Sequence, residues 1–204
     1  MAEENANSRL EAFCDGVFAI ALTLLIIDIR LPSSVTINNA ADFWLALKHI
    51  GPSIIAFVLS FIVILITWVN HHACLKLVNK SSPSFIYSNG LLLMTVVFVP
   101  FPTALMGEYI LTDYAAPAVV LYDAVLAIQG VAWVFLCGAA LKNELTKNGN
   151  SAMQMRVNRR NGYSAFIVYS LLAIIAFWFP LTVAIVTGLT WIFWLMFGIN
   201  IKHE

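Results

Sequence analysis

Residues 8–32 read SRLEAFCDGVFAIALTLLIIDIRLP and place an almost unbroken apolar run between two charged ends. A helical membrane span needs about 20 apolar residues to cross a hydrocarbon layer of roughly 30 Å, and this stretch has that length. Arg9 and Asp15 lie near one end of the run, and Asp28 and Arg30 lie at the other. The stretch therefore predicts a membrane helix with ionisable side chains close to both membrane surfaces.

The composition of the whole chain is that of an integral membrane protein. Of its 204 residues, 61% are hydrophobic and 11% are charged, whereas soluble domains are about half apolar and about a quarter charged. Eleven basic residues balance eleven acidic ones, so the net charge gives no reason to expect nucleic-acid binding. The acidic start of the chain is not expected to act as a signal peptide. The three cysteines stand in or beside apolar runs and predict packing rather than disulfides.

Six apolar runs predict one all-α integral membrane domain over residues 1–204. The runs cover residues 10–29, 50–75, 84–107, 116–141, 161–179 and 181–201. Pro100 and Pro102 are expected to interrupt the third run, and Pro180 marks a tight turn between the last two. The polar segments between the runs, including residues 142–162, are expected to be loops.

The basic residues orient the chain. With the N-terminus in the cytoplasm, nine of the eleven Lys and Arg residues fall on that side, and two, Arg30 and Lys48, fall outside. The nine are Arg9, Lys76, Lys80, Lys142, Lys147, Arg156, Arg159, Arg160 and Lys202. The positive-inside rule then predicts six helices with both termini inside. The basic stretch 142–162 has two open interpretations, a contact with anionic lipid or an ordinary cytoplasmic loop.

A polar cluster is expected at the cytoplasmic end of the first helix. Asp15 lies about 9 Å along the helix from Arg9, and an ionisable group at that depth needs a partner. The second run returns to the same side and ends in TWVNHH. The expected neighbours of Arg9 and Asp15, either as a structural clamp or as a functional group, are therefore Trp68, Asn70, His71 and His72.

The first helix also has an apolar face. At 100° per residue, Ile20, Thr23, Leu24 and Ile27 fall within one arc of about 100°. Small residues such as Ala19 allow helices to approach closely in lipid. Periodicity alone does not distinguish a pore-lining face from a lipid-facing or buried one.

The pattern Arg9-x-x-x-Phe13-Cys14-Asp15, followed by AIALTLLIIDI, resembles the first helix of the transmembrane protein 175 family, endolysosomal and prokaryotic potassium channels with the motif R-x-x-x-F-S-D. Trp68, His71 and His72 match the end of that family's second helix. Cys14 departs from the motif, because it stands where the family has Ser, and a thiol is a weaker hydrogen-bond donor than a hydroxyl.

The resemblance implies a homotetramer in which the first helix of each subunit lines a central four-fold pore. It implies a constriction at Ile20, five residues after the motif Asp, with Leu24 and Ile27 as further pore-facing residues. It implies a selectivity position at Thr23, to which we add Ala19. Asp28 is expected at the outer mouth. The predicted function is a potassium channel, weakly selective over sodium, in the cell membrane.

The chain contains no TVGYG segment, so a carbonyl filter of the usual potassium-channel kind is not expected. A ring of Ile20 side chains offers no ligands and can act as a gate, because a narrow apolar constriction tends to dewet. It also favours potassium over sodium, since sodium holds its water more tightly.

The main alternative is a secondary transporter coupled to protons or ions through Asp15 or Asp123, since a carboxylate within a membrane helix can relay protons. A metal or redox protein is not expected, because the chain lacks CxxC and HExxH spacings. Neither an enzyme, nor a cofactor, nor a protein partner other than further copies of the chain is expected; potassium is the expected permeant ion.

Overall fold

The computed structural model of the chain describes the backbone of residues 7–30 and 37–200, with all of these side chains except those of Asp28 and residues 193–200. This part of the chain is an all-helical bundle. Its helices are α1 (Ser8–Leu24), continued by a 3-10 helix (Leu25–Asp28), α2 (Ala40–His49), α3 (Gly51–Lys76), α4 (Pro83–Phe98), α5 (Pro100–Tyr109), α6 (Ala115–Lys142), α7 (Gly149–Ile175) and α8 (Pro180–Asn200).

Four helical stretches among the described residues are long and apolar enough to cross a membrane. They are Ser8–Ile27, Gly51–Lys76, Pro83–Tyr109 and Ala115–Lys142. They coincide with the first four predicted runs to within a few residues. The fifth and sixth runs fall on α7 and α8, whereas Lys202 and the last residue of the run 181–201 lie outside the described residues.

Proline and polar caps set several helix ends. Pro83 opens α4, where it needs no hydrogen bond from its nitrogen, and the Ser82 hydroxyl before it accepts the Phe85 N–H. The Asn148 side chain accepts the Ser151 N–H and starts α7. As the prolines predicted, the third run is interrupted: α4 ends at Phe98 and α5 begins at Pro100.

Two segments expected to be loops are in fact partly helical. The connection after the first run contains α2, whose first turn Asn39 caps by accepting the Asp42 N–H. A search for membrane-length apolar runs overlooks a helix of 10 residues. The polar stretch 142–162, predicted to be a loop, is instead helical from Gly149, where α7 begins. Its first half is too polar for a hydropathy criterion, but it packs against α6, and tertiary contacts can stabilise a helix whatever its polarity.

Helix α6 is the centre of the bundle, in contact with α4, α5, α7 and α8. Its contact with α7 is close enough to require glycine on both helices. A Cβ atom at Gly130 would lie 2.8 Å from the Phe166 nitrogen, and one at Gly162 would lie 3.0 Å from the Gly130 oxygen. Helix α1 packs on α3 and α4.

A buried hydroxyl network joins α3, α5 and α6. The Thr103 hydroxyl donates to Ser60 Oγ at 2.7 Å, and Ser60 Oγ lies 3.0 Å from the Tyr122 hydroxyl. In an apolar medium these groups must be paired inside the protein. The network therefore fixes how the three helices are placed relative to one another.

Candidate functional site: the exposed face of helix α1

Helix α1 has one face against its own bundle and one face free of it. The buried side chains are Cys14, Phe18, Ala21 and Leu25, at the i, i+4, i+7 and i+11 spacing of one helical face. The residues predicted to form the pore lie on the other side: Ile20 is 58% exposed and Ile27 is 49% exposed, Ala19 and Thr23 are exposed, and Leu24 is half-buried.

The helix tightens within this face. The α-helix ends at Leu24 and continues as a 3-10 helix to Asp28, in which residues three apart eclipse one another. The rotation of 100° per residue assumed from the sequence therefore ends at Leu24. Ile27 nevertheless remains on the same face as Leu24, three residues before it. The Thr23 hydroxyl donates its proton to the Ile20 carbonyl oxygen at 2.8 Å, which leaves its oxygen lone pairs available to a ligand.

Asp15 is held by helix α3. The Trp68 indole Nε1–H donates to Asp15 Oδ1 at 2.8 Å, and the Trp68 ring stacks on the His72 ring with centroids 5.9 Å apart. Arg9 is exposed in the first turn of α1, and its side chain makes no hydrogen bond with the other described residues. The structure thus brings together Asp15, Trp68 and His72 but leaves Arg9 outside their contacts.

The other predicted histidine belongs to a buried set that sequence reasoning did not find. His71 Nε2–H donates to Asn89 Oδ1 at 2.6 Å, and Asn89 Nδ2–H donates to Cys14 Sγ at 3.0 Å. Asn89 therefore connects α1, α3 and α4. The sequence contained one signal for Asn89, which is an amide within the apolar run 84–107. It stands near the cytoplasmic end of that run, at the membrane depth expected for Asp15.

The remaining residues at the ends of α1 have separate environments. Phe13 of the motif is exposed. The backbone of Asp28 ends the 3-10 helix, and its side chain lies outside the described residues. Arg30 Nε–H donates to the Ile27 carbonyl oxygen at 2.9 Å, so this guanidinium caps the end of the helix.

Asp123 lies between α6 and α8, whereas α1 packs on α3 and α4. Asp123 is fully buried, and the Thr187 hydroxyl donates to its Oδ1 at 2.9 Å. Oδ2 has no hydrogen-bond partner among the described residues. The Thr187–Asp123 contact is a hydrogen bond between two helices. Such bonds are the simplest role for polar side chains within a membrane. Within the described part of the chain, no three His, Cys, Asp or Glu side chains are placed to hold a metal ion.

The chain is similar to known channels along most of its length. Residues 9–100 match the family described as endosomal/lysosomal potassium channel TMEM175. A protein of Chamaesiphon minutus named a potassium channel is 36% identical over 200 residues, which cover 92% of this chain and 94% of that protein. A protein of Streptomyces collinus with the same kind of name is 41% identical over 147 residues, covering 72% and 68%.

A solved structure supports the same relationship. The crystal structure of a lysosomal potassium-selective channel TMEM175 homolog from Chamaesiphon minutus superposes with a TM-score of 0.82 at 32% identity, covering 93% of this chain and 96% of that one. The fold and these similarities define an all-helical membrane protein of an ion-channel family, and not an enzyme. The chain belongs to the TMEM175 family.

Proposed function

We propose that the protein is a potassium-selective cation channel of the cell membrane, weakly selective over sodium, in which four copies of α1 surround a central pore. The observation that carries this proposal is the uncovered face of α1. Ile20 and Ile27 are about half exposed in the subunit, on a helix whose opposite face is fully buried. In a tetramer with α1 innermost, that face borders the ion path.

Each subunit is proposed as one six-helix membrane domain with both termini in the cytoplasm. Helices α7 and α8 supply the fifth and sixth spans, through their apolar parts from residue 161 onwards. The basic residues at one end of the bundle favour this orientation.

The constriction is proposed at Ile20. Four branched aliphatic side chains around a narrow axis exclude water when they close, and an ion cannot cross a dry gap without a large desolvation penalty. Leu24 and Ile27 extend the apolar surface outward. A small rotation or tilt of α1 then opens or closes the path.

Thr23 is proposed to supply ligands beside this ring. Its hydroxyl proton is taken by the Ile20 carbonyl, so a passing cation meets only the oxygen lone pairs. Four such oxygens replace part of the water that is lost at the ring, and the small neighbour Ala19 leaves room for the ion. Because potassium loses its water more easily, the arrangement favours potassium.

The contacts at the other end of α1 are proposed to set its tilt. The Trp68–Asp15 hydrogen bond and the Cys14–Asn89–His71 set fasten α1 to α3 and α4, one turn or two from the constriction, with Arg9 and Phe13 of the motif beside them. Asp28 is proposed to attract cations at the outer mouth, with its carboxylate opposing the positive charge that Arg30 keeps while it binds the Ile27 carbonyl oxygen.

The structure gives the carrier alternative little support. Asp123 is not part of the exposed face of α1: it is fully buried inside the subunit, where Thr187 holds it. Asp15 is exposed near the N-terminal end of α1, where the Trp68 indole N–H holds its Oδ1 in place. A channel requires no coupled substrate, so potassium alone should flow down its gradient through reconstituted protein.

Potassium and sodium flux through liposomes that contain the wild type or Ile20→Asn tests the proposal. Asn wets the constriction, so flux should rise and the potassium/sodium ratio should fall towards one. Ile128→Asn is the matched control, because Ile128 is exposed to a similar degree on α6, and its flux and ratio should stay at the wild-type values. Unchanged flux and ratio in Ile20→Asn would place the constriction elsewhere.

A further inference from the structure

Contacts between the helices place polar and aromatic side chains at one level of the bundle. The hydrogen bonds of Asp15 and Asn89 lie there, and the ring centroid of His71 is 6.4 Å from that of Trp133 in α6. On α7, a Cβ atom at Gly162 would lie 3.2 Å from Trp133 Cβ. Helices α1, α3, α4, α6 and α7 therefore share this level.

The level coincides with one edge of a hydrocarbon layer. From it, the continuous helices α3 and α6 run 20 and 18 residues to their opposite ends, from His71 to Gly51 and from Trp133 to Ala115. At 1.5 Å per residue this is roughly 27–30 Å, the thickness of a bilayer core. The first three turns of α7 then project beyond the layer, on the basic side of the protein.

Helix α7 carries an exposed stripe across that edge. Arg156, Arg160, Tyr163 and Ile167 follow one another at i, i+4, i+7 and i+11, and all four are exposed, with Tyr163 at 52% and Ile167 at 56%. Arg159 lies at the border of the stripe. The sequence of α7 contains no Asp or Glu, so the helix itself provides no counter-ion.

We propose that this stripe binds an anionic phospholipid, with Arg156, Arg159 and Arg160 holding its phosphate headgroup and its acyl chains lying along Ile167 and the helix beyond. The arginines lie within about two turns outside the layer edge, where headgroup phosphates are found. Guanidinium groups bind phosphate in a bidentate manner, and Tyr163 lies where aromatic side chains favour the interface.

The position of α7 favours lipid over a second copy of the chain. Helix α7 packs on α6 and α8, whereas α1 packs on α3 and α4. The stripe points away from the side of α7 that carries Met155 and Gly162, which are buried. In a tetramer with α1 at the axis, it faces outward.

Binding of short-chain phosphatidylglycerol to the purified full-length protein in neutral detergent, followed by tryptophan fluorescence, tests the site. The R156Q/R159Q/R160Q variant should bind about 100-fold more weakly, since each basic residue near an anionic headgroup contributes about 1 kcal/mol. The matched control K80Q/K142Q/K147Q removes the same charge from exposed positions at the same end, and it should change the affinity less than about threefold. If the triple arginine variant fails to fold, R160Q alone should weaken binding about fivefold.

Four results would overturn the proposal: equal binding by the arginine variant, equal loss in the lysine control, competition by glycerol phosphate at the affinity of the lipid, or dissociation of the oligomer by the arginine variant. The last would make the stripe a subunit interface. The test measures lipid rather than ion movement, so its failure is separate from any failure of the proposed channel function.

Discussion

Asn89 shows how much one side chain can connect. Its amide oxygen accepts from His71 and its amide nitrogen donates to Cys14, and all three residues are buried. The thiol of Cys14, at the motif's Ser position, accepts a hydrogen bond from the Asn89 amide. This bond is weak, because sulfur is a weak hydrogen-bond acceptor. The sequence predicted a cluster of motif residues with Trp68, Asn70, His71 and His72 from the end of α3. The amide that connects α1 to α3 is instead Asn89 of α4.

Replacing Asn89 with Leu should destabilise the protein by about 1–3 kcal/mol, because it leaves the His71 donor buried without a partner. Thermal unfolding of the purified protein in detergent measures this. The control Asn150→Leu, at an exposed position in the first turn of α7, should leave the midpoint of thermal unfolding equal to that of the wild type within experimental error. An unchanged midpoint for Asn89→Leu would mean that the buried bonds contribute nothing to the fold.

At the scale of whole elements, the closest contact in the bundle is that of α6 with α7. Backbone atoms of the two helices meet at Gly130 and Gly162 without any side chain between them. In lipid, where apolar contacts between helices gain nothing over lipid tails, such close packing is a main source of association. The polar first half of α7, which precedes Gly162, also lies against α6.

Gly130→Ala should therefore destabilise the bundle by about 1–3 kcal/mol, since the new methyl group would meet backbone atoms that cannot move independently. Gly138 in the same helix has open space around it, so Gly138→Ala should stabilise the protein by roughly 0.5–1 kcal/mol. Unfolding midpoints in detergent separate the two. A shift of the same sign and size for both variants would contradict the close contact.

The elements also differ in how far their sequences predicted them. The interruption at Pro100 follows from covalent geometry and was predictable. The start of α7 was not, because a polar helix beyond the membrane surface has no hydropathy signal; its N-terminus depends on the Asn148 cap and on packing against α6. The helix α2 was not predictable for a different reason, because its 10 residues are too few to form an apolar run of membrane length.

For the molecule as a whole, the uncovered face of α1 is the feature that most requires a partner. Ile20, Ile26 and Ile27 are each about half exposed. They lie on one side of the helical segment that also carries the family motif. Around Gly16, which lies on the same helix, there is open space within the subunit. In the proposed tetramer, the exposed faces of the four α1 helices meet around the central axis, so each is covered by the other subunits.

Ile20→Cys should form a disulfide between subunits under mild oxidation, since side chains at the narrowest point of a four-fold pore approach one another within bonding reach. A non-reducing gel should then show a dimer. Cys14, Cys74 and Cys137 are buried, so the wild type should remain a single chain, and so should Ile128→Cys on α6. A dimer in the Ile128→Cys variant alone would move the subunit contact away from α1.

The sequence by itself determined the membrane class, the apolar runs and the two faces of α1, because each of these follows from local composition and helical periodicity. It also carried the motif that places the chain in its family. The tertiary structure alone decided that Asn89 joins Cys14 to His71, that α7 begins at Gly149, and that Gly130 meets Gly162. Those features depend on which helices become neighbours, and the pairing of distant segments has no periodic signal in a single sequence.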